Sequence, residues 1–249
     1  MERFSSIVIT GASSGIGEAL AIDYAQPGVA LALNGRDASR LEAVVSQCRA
    51  KGATVVADIV DVTDREALAA WLTAFDDDHP VDLLIANAGI SIDKDNSSLD
   101  DFARIHQTFD VNVGGVLNTV EALLPRLMAR RKGQIAVVSS LASFVGLPYS
   151  ASYNASKAAV RVWGESIRYV LKKYDIGVSV ICPGFVVSRM TANAPFPMPF
   201  LMTAQHASAI IRRGLARNHA RIAFPIGTKA AVWLGQALPG RWTARLLGA

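Results

Sequence analysis

The chain has 249 residues, of which 51% are hydrophobic and 18% are charged, and its formal net charge is +4. This composition excludes a disordered chain and predicts a large packed core. The Lys and Arg residues are scattered along the sequence, so we expect no nucleic-acid partner, although a slightly basic surface favours small anionic ligands such as dinucleotide phosphates.

Cysteine and histidine spacing predicts neither a disulfide framework nor a metal site. Cys48 and Cys182 have no CxxC partner, and the four histidines show no metal-ligand spacing and no HExxH pattern. The N-terminus enters a strand at once without a signal region, and no uninterrupted apolar run reaches the roughly 18 residues of a spanning helix. We therefore expect a cytoplasmic protein, with peripheral membrane contact left open.

Short β-branched runs alternate with longer helical stretches along the chain. Most of the predicted strands are apolar on both faces, which is typical of a parallel sheet covered on both sides. They are Ser6–Thr10, Val29–Asn34, Thr54–Asp58, Val81–Ala86, Gln134–Ser139, Gly177–Ile181 and Arg221–Phe224. The predicted helices are Gly15–Gln26, Ala38–Lys51, Asp64–Phe75, Leu99–Arg130, Ala151–Tyr174 and Thr203–Asn218.

This alternation predicts the fold class. We expect an α/β fold with a doubly wound parallel sheet of the Rossmann type, about seven strands with helices on both faces, in a single domain over residues 1–249. In such sheets the ligand lies beyond the carboxyl ends of the strands. Each motif described below falls at such an end or on the helix that follows it.

The first motif is a glycine-rich loop between the first strand and the first helix. It reads Thr10-Gly11-Ala12-Ser13-Ser14-Gly15-Ile16-Gly17. Gly11 permits the tight turn, Gly15 lets the backbone approach a pyrophosphate, and Gly17 lets the helix pack close to the sheet. Three glycines with this spacing predict that the loop's backbone N–H groups and the positive helix end bind the phosphates of a dinucleotide.

The end of the second predicted strand favours NADPH/NADP+ as the cofactor. NAD-binding folds usually carry an acidic residue here, but Gly35 takes that place and Arg36 follows it. A guanidinium beside the ribose suits a 2′-phosphate through bidentate, charge-assisted hydrogen bonds. Asp37 has two interpretations, because it can pair with Arg36 or cap the next helix. NAD+/NADH remains the alternative.

Two further strand ends complete the predicted cofactor cleft. Asp61-Val62 follows the third strand, where the adenine would lie and a carboxylate can accept from its exocyclic amine. Asn87-Ala88-Gly89 ends the fourth strand, where small residues let the ribose approach the backbone. Either motif, taken alone, also fits an ordinary turn.

A Tyr and a Lys on one helix face predict proton transfer. Tyr153 and Lys157 are four residues apart near the start of a predicted helix. Reduction of a carbonyl needs a proton donor, and a free Tyr, with a pKa of about 10, holds its proton too tightly near neutral pH. We expect the Lys157 ammonium to lower the pKa of Tyr153 and to hydrogen-bond the ribose hydroxyls.

Two polar residues are candidates to assist this pair. Ser140 ends the fifth strand, where its hydroxyl can polarise the substrate carbonyl and stabilise the developing oxyanion. Asn112 lies in a long predicted helix, and because Asn is a mediocre helix former we expect a polar task such as holding a water near Lys157. Each feature alone is commonly a helix surface or a turn, but together with the glycine-rich loop they predict an active site.

In order and spacing, these motifs resemble the short-chain dehydrogenase/reductase family in its compact one-domain branch, over roughly Ser5 to Thr191. The matching motifs are TGASSGIG, NAG at 87–89, Asn112, Ser140, YNASK at 153–157 and Pro183-Gly184. The resemblance implies a catalytic tetrad of Asn112, Ser140, Tyr153 and Lys157, with Tyr153 as the acid/base.

The resemblance also extends the cofactor site and predicts assembly. It implies that Pro183, Gly184, Val186 and Ser188 lie along the nicotinamide, although the family often has Thr where Ser188 stands. It further implies a homodimer or homotetramer built on the long helices.

Beyond Ser188 the sequence predicts a substrate lid over residues 189–218. Residues 190–202 hold three prolines, two phenylalanines and three methionines, so we expect an apolar or amphipathic substrate. Packing of this loop on its own core is nearly as well supported. Residues 229–249 form a predicted amphipathic C-terminal extension, which can pack on the domain, cover a subunit interface or lie on a membrane surface, in that order of preference.

Three functions are compatible with these features. The leading one is an NADPH-dependent oxidoreductase that transfers hydride between the nicotinamide and a carbonyl or secondary alcohol. A sugar-nucleotide epimerase or dehydratase is disfavoured by the glycine spacing and by the short chain. An NAD(P)-binding sensor or scaffold without turnover is disfavoured because it needs no acid/base such as Tyr153.

Overall fold

The computed structural model describes residues 4–91, 101–146, 150–192 and 198–228. The strands are β1 (Ser6–Ile9), β2 (Ala30–Asn34), β3 (Thr54–Asp58), β4 (Leu83–Ala86), β5 (Gly133–Val138), β6 (Ile176–Pro183) and β7 (Arg221–Phe224). The helices are α1 (Gly15–Tyr24), α2 (Ala38–Ala50), α3 (Arg65–Asp78), α4 (Phe102–Phe109), α5 (Gly115–Arg130), α6 (Ala151–Leu171) and α7 (Ala204–Ala216). Within the described ranges, no helix is both long enough and apolar enough to cross a membrane.

All seven strands belong to one parallel sheet with the order β3-β2-β1-β4-β5-β6-β7. The chain proceeds outward from β1 to β3, returns to β4 beside β1, and then proceeds outward on the other side. Adjacent connections therefore diverge between β1 and β4, which opens a crevice at the carboxyl ends of these strands. The predicted doubly wound parallel sheet is confirmed.

Alternating residues of the strands form two cores, one on each face of the sheet. In β1, Ile7 and Ile9 pack in the core on the side of α1, α2 and α7. Val8, between them, packs in the opposite core with α3, α5 and α6. All three side chains are fully buried. A strand buried on both faces has to be apolar at every position, which explains why the continuous apolar runs in the sequence identified the strands.

The predicted helix over Leu99–Arg130 is helical from Phe102 onward, but a π turn interrupts its α-helical hydrogen bonding. A π turn at Asp110–Gly114 separates α4 from α5, and the Gly115 N–H donates to the carbonyl oxygen of Asp110, five residues earlier. Such turns often occur at functional sites, because the slipped hydrogen bond changes the direction of the side chains. This one contains Asn112. Leu99 lies outside the described residues.

The predicted lid over 189–218 includes a helix of the domain core. Residues 204–216 form α7, and its Ala207, Ile211 and Leu215 are buried on the α1 side of the sheet. Only the residues before α7 can therefore still belong to the predicted lid. Residues 193–197 within that stretch, and the predicted extension 229–249, lie outside the described part of the chain.

Two backbone hydrogen bonds close the base of this narrowed segment. The Val187 N–H donates to the Met202 carbonyl over 2.8 Å, and the Met202 N–H donates to the Phe185 carbonyl over 3.1 Å. The described ends of the segment are thus fixed beside the carboxyl end of β6.

The buried carboxylate of Asp76 joins α3 to α5 at the end of the sheet opposite the carboxyl ends of the strands. The Asp76 side chain is fully buried and accepts hydrogen bonds from Arg130 Nη1 and Nη2 at 2.7 and 2.8 Å. It also accepts from Arg126 Nη1 at 3.2 Å and from the Val81 N–H at 2.8 Å. Burial alone would raise the pKa of Asp76, but these hydrogen bonds and the Arg130 charge outweigh burial and lower it.

Candidate active site

The glycine-rich loop forms an anion-binding cradle between β1 and α1. Gly11 and Gly15 have φ values of +68° and +60°, a region that favours glycine. A Cβ on Gly17 would lie 2.3 Å from the Gly11 carbonyl oxygen, so the close packing of α1 on the loop requires glycine there. Ser14 stands at the N-cap of α1, but its side chain makes no capping hydrogen bond. The first N–H groups of α1 are therefore left uncapped by Ser14, as phosphate binding requires.

Asn34, which we did not predict as a site residue, holds the start of this loop. Its side chain is buried at the end of β2, where Oδ1 accepts from the Gly11 N–H at 2.9 Å. Its Nδ2 donates to the Val60 carbonyl at 2.8 Å. One amide thus connects the loops after β1, β2 and β3. The signal in the sequence was a polar residue that ends an otherwise apolar strand.

The NAG motif after β4 holds the other side of the glycine-rich loop. Asn87 Nδ2 donates to the carbonyl oxygens of Thr10 and Gly11 at 2.9 and 3.1 Å. In return, Thr10 Oγ1 accepts from the backbone N–H groups of Asn87 and Ala88 at 3.0 and 3.1 Å. Asn87 therefore positions the glycine-rich loop. The sequence analysis predicted only that the small residues of this motif let the ribose approach the backbone.

Arg36 and Asp61 line one cavity of about 450 Å³ beyond β2 and β3, with α4 and the π turn as its far wall. Asp37 caps α2 by accepting from the Arg40 N–H at 3.0 Å, and it pairs with the Arg40 guanidinium at 2.6 Å. The capping interpretation of Asp37 is thus the correct one. Arg36 is exposed, and it forms no ion pair with any carboxylate in the described part of the chain.

Asp61 lines this cavity, and Val62 packs beside it against the start of α5. Asp61 Oδ1 accepts from the backbone N–H and the hydroxyl of Thr63 at 2.9 and 2.8 Å, which fixes the carboxylate. The Val62 carbonyl accepts from Asn118 Nδ2 at 2.9 Å. A Cβ on Gly115 would lie 2.5 Å from Val62 Cγ2, so α5 begins directly against this residue.

The first turns of α6 bring Tyr153 and Lys157 to the carboxyl end of β5. Lys157 is buried, and its Nζ donates to the Val138 carbonyl at 3.0 Å and lies 5.9 Å from the centre of the Tyr153 ring. Burial lowers the pKa of Lys157 to about 8. Ser139 Oγ donates to the Lys157 carbonyl at 2.7 Å, which attaches this turn of the helix to β5.

Tyr153 and Ser140 share a hydrogen bond, but the expected lowering of the Tyr153 pKa is wrong for this structure. Burial raises the pKa of Tyr153, and the hydrogen bond with Ser140 offsets that only in part. Low dielectric around the phenol penalises the tyrosinate more than its neighbours stabilise it. The phenol is therefore protonated at neutral pH, the state required of a proton donor.

Asn112 links the end of β4 to α6. Its Oδ1 accepts from the Ile90 N–H at 2.8 Å, and its Nδ2 donates to the Ile90 carbonyl at 2.9 Å and to Ser156 Oγ at 3.0 Å. Ser156 in turn donates to the Tyr153 carbonyl at 2.8 Å. The predicted polar task of Asn112 is thus a set of direct contacts within the protein.

Gly89 lies in close contact with this arrangement. A Cβ there would approach Lys157 Nζ to 3.0 Å and Asn112 Oδ1 to 3.1 Å. The third position of the NAG motif therefore has to be small for the Lys157 and Asn112 side chains to keep their places.

The residues after β6 close the cleft opposite α6. Pro183 is the last residue of β6, and the Gly184 N–H donates to the Phe224 carbonyl at 2.7 Å. Ser140 Oγ lies 3.5 Å from the Pro183 carbonyl oxygen. This strand end is therefore next to the predicted catalytic serine.

The following turn brings Ser188 to the glycine-rich loop. Thr191 Oγ1 accepts from the Ser188 N–H at 2.9 Å and donates to the Val186 carbonyl at 2.9 Å, which fixes the turn. A Cβ on Gly15 would lie 3.1 Å from Ser188 Cβ, and both residues line a second cavity of about 350 Å³. The loop predicted to bind the phosphates and the turn predicted to lie along the nicotinamide are thus in contact across the cleft.

The predicted site residues lie at the carboxyl ends of the strands, on the first turns of α1 and α6 or, for Asn112, in the π turn before α5. The residues fit a dinucleotide in three respects. The uncapped start of α1 suits a pyrophosphate, and the cavity lined by Arg36 and Asp61 suits an adenosine. The buried Tyr153–Lys157 pair lies where the nicotinamide end of the dinucleotide would be.

Comparison with known proteins gives a consistent result. Residues 5–196 match the family described as short chain dehydrogenase. An uncharacterized oxidoreductase of Myxococcus xanthus is 36% identical over 237 residues, which are 95% of this chain and 93% of that protein.

Two solved structures share the fold over nearly their whole length. A short-chain dehydrogenase/reductase from Burkholderia phymatum in complex with NAD has a TM-score of 0.84 and 27% identity, covering 95% of both chains. A short-chain dehydrogenase from Sphingobium yanoikuyae in complex with NADPH has a TM-score of 0.81 and 26% identity, covering 97% of this chain and 95% of that one.

Proposed function

Because this chain belongs to the short-chain dehydrogenase family and is an NAD(P)-dependent oxidoreductase acting on CH–OH and C=O groups, we propose that it uses NADPH to reduce an apolar or amphipathic carbonyl compound. The observation that carries the proposal is the grouping of Ser140, Tyr153 and Lys157 at the carboxyl end of β5, with Tyr153 hydrogen-bonded to Ser140 and Lys157 Nζ 5.9 Å from the centre of the Tyr153 ring. Two hydroxyls placed together in this way can hydrogen-bond one carbonyl oxygen, and the phenol can transfer its proton to that oxygen as negative charge develops there.

Each residue of the site has a separate task in the proposed reduction. NADPH, when bound, supplies the hydride. Ser140 donates a hydrogen bond to the carbonyl oxygen, and Tyr153 transfers its phenolic proton to the same oxygen as negative charge develops there. Lys157, held by the Val138 carbonyl, places a positive charge near the tyrosinate that remains. Asn112 keeps α6 in register with the end of β4 through Ser156.

Arg36 supports the preference for NADPH. Its guanidinium is exposed on the wall of the adenosine cavity, and the nearest acidic neighbour in sequence, Asp37, is committed to Arg40. Asp61 and Asp110 line the same cavity, but among the described residues neither forms an ion pair with Arg36, so its guanidinium is open to a 2′-phosphate. The NADPH-bound and NAD-bound structures of similar proteins are both compatible with this fold, so the choice rests on the side chains here.

Replacing Arg36 with Ala is expected to lower the affinity for NADPH about 10-fold and to leave the affinity for NADH nearly unchanged, because only NADPH has the phosphate. Fluorescence titration with both dinucleotides measures the two dissociation constants. Arg213→Ala, which removes an equal charge at the far end of α7, is the control. An unchanged NADPH:NADH affinity ratio in Arg36→Ala would show that Arg36 does not recognise the phosphate.

The pH profile tests the role of Lys157. Its pKa of about 8 means that the ammonium loses its proton as the pH rises through that value. Since the proposed reduction needs both the ammonium and a protonated Tyr153, kcat is expected to fall on the alkaline side, with the first loss near pH 8. Steady-state rates from pH 6 to 10 at saturating NADPH measure this. A rate of reduction that rises steadily to pH 10 would contradict the assignment.

The described part of the cleft entrance supports an apolar or amphipathic substrate. Met190, Phe200 and Leu201, in the segment before α7, expose large apolar side chains. A panel of ketones and aldehydes of graded polarity, followed by NADPH and NADH consumption, tests the proposal. A strict preference for small, highly polar carbonyls would contradict this substrate class. Tight NADPH binding with no turnover on any carbonyl would favour the sensor alternative.

The outer faces of α5 and α6 support the proposed homodimer or homotetramer. Leu117 on α5 and Val162, Tyr169 and Val170 on α6 expose apolar side chains. Apolar side chains repeated along the same exposed helices are typical of surfaces that pair with a second copy.

A further inference from the structure

Phe144 contacts two guanidinium groups behind the catalytic serine. It is the last residue of a 3₁₀ turn, Leu141–Phe144, that begins directly after Ser140. The Cζ atoms of Arg161 and Arg221 lie 4.3 and 5.2 Å from the centre of its ring. Both distances are within the range of attractive cation–π contacts.

Glu165 connects the two arginines. Its Oε2 pairs with Arg161 Nη1 at 3.3 Å, and its Oε1 accepts from Arg221 Nε at 2.9 Å. Arg161 Nη2 also lies 3.5 Å from the carbonyl oxygen of Ser143, on the same 3₁₀ turn. Phe144, Arg161, Glu165 and Arg221 thus form one cluster, here called the Phe144 clamp.

The clamp joins three elements of the fold, two of which carry residues of the candidate site. Phe144 comes from the turn after β5, Arg161 and Glu165 from α6, and Arg221 from β7. Ser140 is the N-cap of the same turn, where its Oγ accepts from the Ala142 N–H at 3.1 Å. Arg161 lies one helical turn beyond Lys157 on α6. The contact between Phe144 and Arg161 therefore connects the serine's turn to the helix of Tyr153 and Lys157.

The cluster is placed to do more than stabilise the fold. Leu141 already anchors the turn in the core, whereas the contacts of Phe144 and of the Ser143 carbonyl fix where the turn lies relative to α6. Proton donors have to be placed precisely, because a displacement of about 1 Å can cost roughly 100-fold in rate. The hydrogen bond between Ser140 and Tyr153 has this kind of geometric requirement.

We propose that Phe144, Arg161, Glu165 and Arg221 are positioning residues that fix Ser140, and the wall of the substrate cleft that follows it, relative to Tyr153. The kinetic part of this inference rests on the proposed reductase function. It predicts that loosening the clamp affects the carbonyl substrate but not NADPH, since none of the four residues lies in the glycine-rich loop or lines the cavity of Arg36.

The test compares Phe144→Leu, which removes the ring, with Phe144→Tyr, which keeps it, and adds Glu165→Gln, which removes the shared carboxylate at constant size. Glu121→Gln, which breaks the exposed ion pair with Arg65, is the matched control. The readouts are kcat and KM for the best carbonyl of the panel, the Kd of NADPH, the Tm, and hydrogen exchange of residues 140–144.

For Phe144→Leu and Glu165→Gln we expect kcat/KM to fall about 10-fold, with an unchanged NADPH Kd and faster exchange in 140–144. Phe144→Tyr and Glu121→Gln should stay close to the wild type in every readout. The proposal is overturned if exchange in 140–144 stays at the wild-type rate, if Phe144→Tyr loses as much as Phe144→Leu, or if kcat/KM falls only in proportion to NADPH affinity or Tm. A wild-type protein without turnover would defeat the reductase function, whereas hydrogen exchange would still decide whether the clamp fixes the turn.

Discussion

Replacing Tyr153 with Phe is expected to lower kcat for carbonyl reduction by about 10²- to 10⁴-fold, the usual contribution of a positioned acid. The ring is retained, so the packing of α6 on β5 should be preserved, and only the phenolic hydroxyl is lost. Ser140 would keep its place, because its Oγ also accepts from the Ala142 N–H. The remaining hydrogen bond from Ser140 can polarise the carbonyl but cannot complete the proton transfer.

The measurement is NADPH consumption at saturating carbonyl, with NADPH affinity determined separately by fluorescence. Because the cofactor cradle lies on α1 and the loops after β1 and β4, we expect the NADPH Kd of Tyr153→Phe to stay within a few-fold of the wild type. Tyr169→Phe makes the same change on an exposed position of the same helix and serves as the control. Retention of most of the wild-type kcat in Tyr153→Phe would exclude Tyr153 as the proton donor.

The sheet, and the places along the chain at which the site residues occur, could be predicted from the sequence, because they depend on patterns among neighbouring residues. The strands were recognisable as apolar runs, since residues such as Ile7, Val8 and Ile9 are buried on both faces. The glycine-rich loop was recognisable because its turn and its contact with α1 leave no room for a Cβ at Gly17. Four-residue spacing placed Tyr153 and Lys157 on one face of α6 without any tertiary information.

What the sequence did not reveal depends on contacts between distant segments. The π turn at Asp110–Gly114 occurs where Asn112 binds Ile90 and Ser156, and neither partner is close to it in sequence. The raised pKa of Tyr153 reflects burial by the assembled cleft, whereas sequence spacing showed only the nearby lysine. For the same reason, the composition of residues 190–202 led us to predict a lid over 189–218, whereas burial on the α1 side of the sheet makes α7 part of the core.

The free energy of unfolding is expected to depend strongly on the carboxylate of Asp76, which lies at the end of the sheet opposite the candidate active site. Asp76→Asn should lower the free energy of unfolding at pH 7 by about 2–4 kcal/mol, somewhat less than a fully buried ion pair, because Arg126 and Arg130 are about one-third exposed. The Asn side chain has the same size as Asp but carries no charge and has only one acceptor oxygen. It can therefore no longer accept the two guanidinium hydrogen bonds from Arg130 together with the hydrogen bond from the Val81 N–H. Urea unfolding at pH 7 measures the difference, and Asp77→Asn, an exposed neighbour that also pairs with Arg126, should cost less than about 1 kcal/mol.

The pH dependence of that difference identifies its electrostatic part. The pKa of Asp76 is lower in the folded protein than in the unfolded chain, where an Asp has a pKa of about 3.9. The unfolded state therefore takes up the proton first on acidification, and the stability contributed by the carboxylate is fully present above pH 4 and is lost as the pH falls through the folded pKa. The stability gap between the wild type and Asp76→Asn should accordingly narrow below about pH 4. A gap of equal size at pH 7 and at pH 3 would mean that shape and hydrogen bonding, and not charge, account for the effect of Asp76.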